Sequence, residues 1–291
     1  MKLASFGEIL WDIFESERHI GGAPLNIAAH AALYGFDSYL ISAVGDDDLG
    51  ADALDTVTRL GINPDFMTTK VGINTGRCIV TLDAAGMPKY KIDERSSHDE
   101  IDLPDLPLTD FSVLCFGTLA LRSEENIRTL EKIISEGSFT ERYADLNIRA
   151  PFYSVRAVEF CLRNASIVKI SDEELPIVTA LLSIKYITPE DAANRLSHRF
   201  GNIKQLIITL GERGSFCLDT AEGKVYRAPA QRATVCSTVG AGDSFGAAFL
   251  ASYIKHRDIP RALLTASHVS AFVVSSLEAV PAGSKEVFEN V

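Results

Sequence analysis

Residues 23–45 read APLNIAAHAALYGFDSYLISAVG. From Ala23 to Tyr34 the apolar residues recur at helical spacing, and after Gly35 the segment DSYLISAVG is a short apolar run closed by Gly45, which suits a buried strand. The same alternation continues downstream. It predicts helices over 47–60, 123–136 and 154–163 and strands over 112–116 (SVLCF), 140–146, 166–170 and 204–210 (KQLIITL). Strands alternating with helices imply an α/β fold whose central sheet is mainly parallel and covered on both faces.

Two segments break this rhythm. One is ILWDIFESERHIGG at 9–22; the other is INTGRCIVTLDAAGMPKYKID at 73–93, which reads as two strands joined around Ala85-Gly86, with Gly86 serving only the turn. Alternation of apolar and polar residues suits a sheet covered on one face. We therefore expect a small β lid built from inserts at about 10–22 and 71–100 over the main sheet. An exposed lid edge makes a homodimer through the lid an expectation.

With 291 residues, of which 46% are hydrophobic, the chain suits a single large α/β domain. Its 28 basic against 39 acidic side chains give a formal net charge of -11, which disfavours nucleic acid and anionic membranes as partners. An anionic ligand would need a local positive site. Cys78, Cys115, Cys161, Cys217 and Cys236 are far apart, without C-x-x-C spacing, so they read as buried free thiols rather than a zinc site or disulfide framework. No run approaches the ~20 apolar residues of a spanning helix, and the start of the chain lacks a secretory pattern, so a soluble cytoplasmic protein is expected.

In open α/β sheets ligands gather at the carboxyl ends of the strands. Five places there carry polar residues or glycines: Asp12, GGAPLN at 21–26, DLNIR at 145–149, TLGERG at 209–214, and CSTVGAGDSFGAAF at 236–249. In the last of these, Gly240, Ala241 and Gly242 would let backbone amides approach an anion, with about half a positive charge from the following helix directed at it. Asp243 falls in the first turn of that helix. Read alone, this stretch is equally explained by a tight turn and a helix cap. Neither a G-x-x-x-x-G-K-[ST] loop nor a G-x-G-x-x-G opening the first βαβ unit is present, so the common nucleotide folds are disfavoured.

Taken together, the motifs carry a resemblance. GGAPLNIAAHAALYGFDSYLISAVGDDDLG resembles the N-terminal signature of the ribokinase-like (PfkB) carbohydrate kinases, and STVGAGDSFGAAFLA their C-terminal one. TGRCIVTLDAAGMPKYKI, VKISDEEL and ITLGERGS also match, so the likeness runs from about residue 3 to about residue 283. GEILWD with DLNIR looks most like the fructokinase branch. The resemblance implies a ribokinase-like three-layer fold and ATP-dependent phosphorylation of a sugar hydroxyl. D-Fructose converted to fructose 6-phosphate fits best. Kinases of 2-keto-3-deoxygluconate or of a nucleoside, and a sugar-binding regulatory protein without catalysis, are the alternatives.

Carried onto this sequence, the resemblance makes Asp243 the proton acceptor and the amides of Gly240, Ala241 and Gly242 the cradle of the transferring phosphate. A carboxylate is a feeble base toward an alcohol, so Asp243 can take the proton only late, as the hydroxyl oxygen bonds to phosphorus. Asp12, Gly22, Asn26 and Arg149 would hold the sugar, although Asp12 also reads as a solvated loop carboxylate and Arg149 as a surface ion-pair partner. Trp11 reads as lid packing or as a stacking platform. Lys169, Thr209, Gly211, Gly214 and Ser267 would serve the nucleotide, and Glu174 the Mg2+ ion through water. Ser171 stands where the family usually has asparagine; Asp172 and Glu173 read as first-turn helix carboxylates. Ser237 replaces the family's usual aspartate at the monovalent-cation site and Glu278 a usual glycine, so either Glu278 supplies the missing carboxylate or no potassium binds. His30 and His268 have no pattern suggesting catalysis and read as structural.

Overall fold

The computed structural model describes residues 1–82, 88–105 and 107–291. The expected turn at Ala85-Gly86 lies outside these described residues. The chain runs through β1 (Lys2–Phe6), β2 (Leu10–Ile13), β3 (Arg18–Gly21), α1 (Ala23–Leu33), β4 (Asp37–Gly45), α2 (Asp48–Arg59), β5 (Met67–Lys70), β6 (Gly76–Leu82) and β7 (Pro88–Ile92). There follow β8 (Phe111–Phe116), α3 (Glu124–Glu136), β9 (Glu141–Asp145), α4 (Val155–Asn164), β10 (Ile167–Ser171), α5 (Leu175–Leu181), α6 (Pro189–Arg199) and β11 (Gln205–Thr209). The last part holds β12 (Ser215–Asp219), β13 (Lys224–Ala228), α7 (Ala241–His256), α8 (Ile259–Val274) and α9 (Ser284–Glu289).

Among the described residues the strands form two sheets. The larger has the order β13-β12-β11-β10-β9-β8-β1-β4-β5, parallel from β5 to β11 and closed by the antiparallel β12 and β13. The smaller has the order β3-β2-β6-β7, and its two segments are those that break the sequence rhythm. Period-two alternation sorts the buried side chains of the larger sheet onto its two faces. Leu114, Phe116, Ala144, Val168 and Ile170 join Leu130, Val158 and Leu196 of α3, α4 and α6 in one core. Val113, Cys115, Tyr143 and Ile167 join Ile27, Phe249, Leu250, Leu263 and Val269 of α1, α7 and α8 in the other. Each fully buried Leu or Phe contributes roughly 1.5–3 kcal/mol.

The smaller sheet is anchored rather than loose. Trp11 is buried with Leu25, Ala28 and Ala53 of α1 and α2, and its indole donates to the carbonyl of Leu49 at 2.9 Å. That contact makes Trp11 a packing residue and removes the stacking-platform reading. On the other side of β2, Leu10 joins Cys78, Val80 and Leu119, and Arg122 forks onto Asp99 at 2.6 and 2.7 Å. Cys236 departs from the expected burial: it is exposed, in the loop before α7, whereas the other four cysteines are buried thiols.

Candidate active site

Four of the nine described α-helices begin on a side-chain cap. Asp47, Ser154, Thr188 and Asp258 each accept a backbone N–H of the first turn of α2, α4, α6 and α8. α1 and α7 share a different start, on a glycine of positive φ. α1 starts from Gly22 (φ 119) and α7 from Gly240 (φ 77), both without a side-chain cap. Positive φ explains both glycines, and so does space. A Cβ at Gly22 would strike the carbonyl of Glu8, and one at Gly240 would lie 2.8 Å from the Cβ and carbonyl oxygen of Ala279.

The two uncapped ends meet. Asn26, one turn into α1 and buried, donates its amide to Asp243 Oδ2 at 2.7 Å. The structure thus brings together the sugar-side and phosphate-side residues expected from sequence, 217 positions apart, through one hydrogen bond. Asp243 occupies the first turn of α7, where the helix field favours its charge.

Three further charged groups surround this junction. Asp12, on β2 opposite Cys78 of β6, has its carboxyl raised by burial, with Cys78, Arg149 and His19 pulling it part way back. The Cys78 thiol is pushed up to about 12 by burial and by the charge of Asp12. Arg149 is exposed, in the loop after β9, and its charge is felt by both Asp12 and Glu8. Glu8, which sequence reasoning missed, is only 4% exposed and follows β1 directly. Burial raises its carboxyl to about 7; backbone N–H groups of Glu8 itself and Ala23 and the charge of Arg149 oppose the rise, and Asp243 adds to it. The signal was available, since a carboxylate just past an apolar strand is the same cue that drew attention to Asp12.

Beneath the α7 end lies a buried ion pair. Lys169 of β10 and Asp145 of β9 are register partners on the strand faces that carry Tyr143, toward α7. The ammonium donates to both carboxylate oxygens at 2.8 and 3.0 Å, and it comes within 3.3 Å of where a Gly242 Cβ would stand. Burial alone would lower Lys169, but the charges of Asp145, Glu174 and Asp243 more than offset it and hold the lysine charged. Sequence reasoning marked DLNIR but gave Asp145 no role of its own, because its pairing depends on strand register. A cleft lined by Glu8, Pro24, Thr118, Asp145 and Asn147 joins this pair to the α1 side.

Glu174 accepts the backbone N–H of Ile148 at 2.6 Å and of Ser171 at 2.7 Å, while its own N–H donates to Ser171 Oγ at 3.2 Å. It therefore ties the loop carrying Arg149 to the end of β10, with a lone pair on each oxygen left for another donor or for metal-bound water. Asp172 and Glu173 are not in a helix turn: α5 starts at Leu175, and Asp172 is paired with Arg213 at 2.6 Å. Thr209 closes β11, and Gly211 (φ 57) and Gly214 (φ 88) bound the turn to β12. Ser267 of α8 donates its hydroxyl to the carbonyl of Pro229 at 2.7 Å. Ser237 and Glu278 lie on loops before α7 and after α8; Ser237 Oγ accepts the N–H of Val239 at 3.2 Å, and Glu278 is exposed. His30 is buried and hydrogen-bonded within the core of the α1 side, and His268 is half-buried on α8.

Comparison with known proteins places the chain in a family. The family described as pfkB family carbohydrate kinase matches residues 3–284. A fructokinase of Klebsiella pneumoniae is 29% identical over 249 residues, covering 81% of this chain and 77% of that protein. A probable fructokinase of Arabidopsis thaliana is 27% identical over 312 residues, covering 96% and 93%. The crystal structure of a fructokinase with bound ATP from Xylella fastidiosa superposes with a TM-score of 0.86 at 19% identity, over 99% of this chain and 98% of that one.

Proposed function

This chain belongs to the pfkB family of carbohydrate kinases, and from that premise we propose that it transfers the γ-phosphoryl group of ATP to the primary hydroxyl of D-fructose, giving fructose 6-phosphate and ADP. The observation that carries this reading is the Asn26–Asp243 hydrogen bond, which joins a sugar-side helix start to a phosphate-side helix start. The fructokinase names of the relatives and the ATP bound to a structural neighbour support the choice of substrates.

In this reading Asp12, Gly22, Asn26 and Arg149 hold the sugar with its hydroxyl facing Asp243. The hydroxyl oxygen bonds to the γ-phosphorus, the bond from that phosphorus to the ADP oxygen breaks, and the hydroxyl proton passes to Asp243. Charge spread over the equatorial oxygens is met by the amides of Gly240, Ala241 and Gly242; one such preorganised donor is worth roughly 3 kcal/mol in the transition state. Lys169, held charged by Asp145 below Gly242, adds a fixed positive charge to the same place. Thr209, Gly211, Gly214 and Ser267 line the nucleotide side. The family implies Mg2+, and the Glu174 carboxylate fits it through water; the ion would neutralise part of the polyphosphate charge, which a chain of net charge -11 needs. The smaller sheet acts as a lid that excludes water, and its exposed edge carries the proposed dimer.

The test is a coupled ADP-release assay over fructose, other hexoses, 2-keto-3-deoxygluconate and nucleosides. Fructose is expected to give the highest kcat/KM. A higher value for another acceptor would replace fructose, and no turnover with any acceptor would favour a sugar-binding protein without catalysis.

A further inference from the structure

One buried, polar side chain near the site is unused by this mechanism. His30 lies on α1 four residues after Asn26, hence on the same helix face. Its Nε2 is 3.0 Å from the carbonyl oxygen of Ala279, and its Nδ1 is 3.2 Å from the Tyr34 hydroxyl and 3.4 Å from Ser284 Oγ. A carbonyl can only accept, so Nε2 carries the proton and Nδ1 receives a hydroxyl. That assignment needs the neutral ring, and burial lowers His30 from its ordinary value. Tyr34 in turn stacks on Phe288 of α9 with ring centroids 4.1 Å apart. Through these contacts the segment from Ala279 to Phe288 is fastened to α1.

Ala279 is also the residue against which Gly240 rests, closely enough that a Gly240 Cβ would lie 2.8 Å from its Cβ and oxygen. The α1 face therefore grips the first turn of α7 twice. Asn26 holds Asp243 directly, and His30 holds the Ala279 loop that backs Gly240. We infer that His30 is a positioning residue, a clasp that fixes the Gly240 end of the phosphate cradle relative to Asp243 by holding Ala279 in place. The inference rests on the phosphotransfer reading for its kinetic consequence, and on geometry alone for its structural one.

The experiment compares His30→Gln, whose amide nitrogen can still donate to Ala279, with His30→Leu, which fills similar volume without a donor. A misplacement of about 1 Å at a reacting centre costs on the order of 10²-fold in rate. His30→Leu is thus expected to lower kcat by about 10- to 100-fold with the sugar KM changed less than about threefold, and His30→Gln to recover most of that loss. In parallel, hydrogen exchange of the amides of residues 239–243 is expected to quicken in His30→Leu and to stay near wild type in His30→Gln. Equal kcat and equal exchange in all three proteins overturns the clasp, as does a Gln variant as impaired as the Leu variant. If the wild type phosphorylates no acceptor, the functional reading fails while the exchange comparison still decides the clasp. If His30→Leu does not fold, the Gln variant decides: it must keep both kcat and exchange close to wild type.

Discussion

The helices α1 and α7 resemble each other more than either resembles the helices around them. Both begin on a glycine of positive φ without a side-chain cap, both run buried beside the same face of the larger sheet, and their starts converge at Asn26 and Asp243. They differ in what answers the positive end of the helix. At α1 a carboxyl group of the protein itself, that of Glu8, is buried beside the N–H of Ala23. At α7 no side chain caps the helix, and its exposed glycine-rich turn is backed by Ala279 and underlain by Lys169. At α1 the chain fills the helix start with its own carboxyl group; at α7, in the proposed reading, the start is left for the ligand's phosphate.

The largest expected effect strikes the point where the two helices touch. Asp243→Asn preserves the shape and the contact to Asn26 but removes the proton acceptor, and general-base contributions of this kind are worth about 10²- to 10⁴-fold. The loss should fall on kcat, with KM for sugar and ATP and thermal stability close to wild type. Equal turnover by the variant would take the base role away from Asp243.

Glu8→Gln separates the α1 end from the α7 end through pH. The Glu8 carboxyl titrates near 7 in the fold against an ordinary 4.5. Between these values the unfolded chain has lost the proton and the native chain keeps it, so this group's contribution to stability is complete below pH 4.5 and declines as pH rises to 7. The difference in unfolding free energy, Glu8→Gln minus wild type, should therefore grow by about 3 kcal/mol from pH 4 to pH 8. Denaturant titrations of both proteins at several pH values measure it. A flat difference would place the Glu8 carboxylate in an ordinary environment and dissolve the contrast.

A third comparison sets glycine against glycine. Gly240→Ala meets both a left-handed backbone (φ 77) and the body of Ala279, whereas Gly35→Ala meets a similar φ of 92 with nothing within 4 Å. Both should lose on the order of 1–2 kcal/mol of stability to backbone strain. Only Gly240→Ala should also lower kcat, by about 10-fold or more, because the cradle must shift to admit the methyl group. Equal kinetics in the two variants would show that the position of Gly240 is not critical.

Much of this contrast was legible in the sequence. The α/β alternation followed from apolar periodicity, and the small sheet from the two segments that broke it. GGAPLN and GAGD could be marked as helix starts because glycine, proline and asparagine have few other uses there. Partnership across strands was not legible. Asp145 and Lys169 are 24 residues apart and become partners only through the β9–β10 register, and His30 meets Ala279 across 249 positions. Burial was the other blind spot. Glu8 and Asp12 look alike in GEILWD, yet only the fold puts Glu8 under α1, and Cys236 sits in a short apolar stretch that the fold leaves outside.

The smallest expected effect concerns the loop behind the α7 start. Ser237 Oγ already accepts the Val239 N–H, and the Glu278 side chain is exposed, with its N–H donated to Ser276 Oγ at 3.1 Å. Ala279, next in the chain, is held by His30, so the backing of Gly240 is secured by side chains of the protein. A loop fixed in this way has little need of a bound ion, and turnover should change less than about twofold when potassium rises from none to cellular levels at constant ionic strength, a shift of about 0.4 kcal/mol at most. Assays in tetramethylammonium and potassium salts compare the two conditions. A manyfold activation by potassium, abolished by Glu278→Gln, would instead make Glu278 a replacement carboxylate and give the α7 end a bound cation where α1 has a buried carboxyl group.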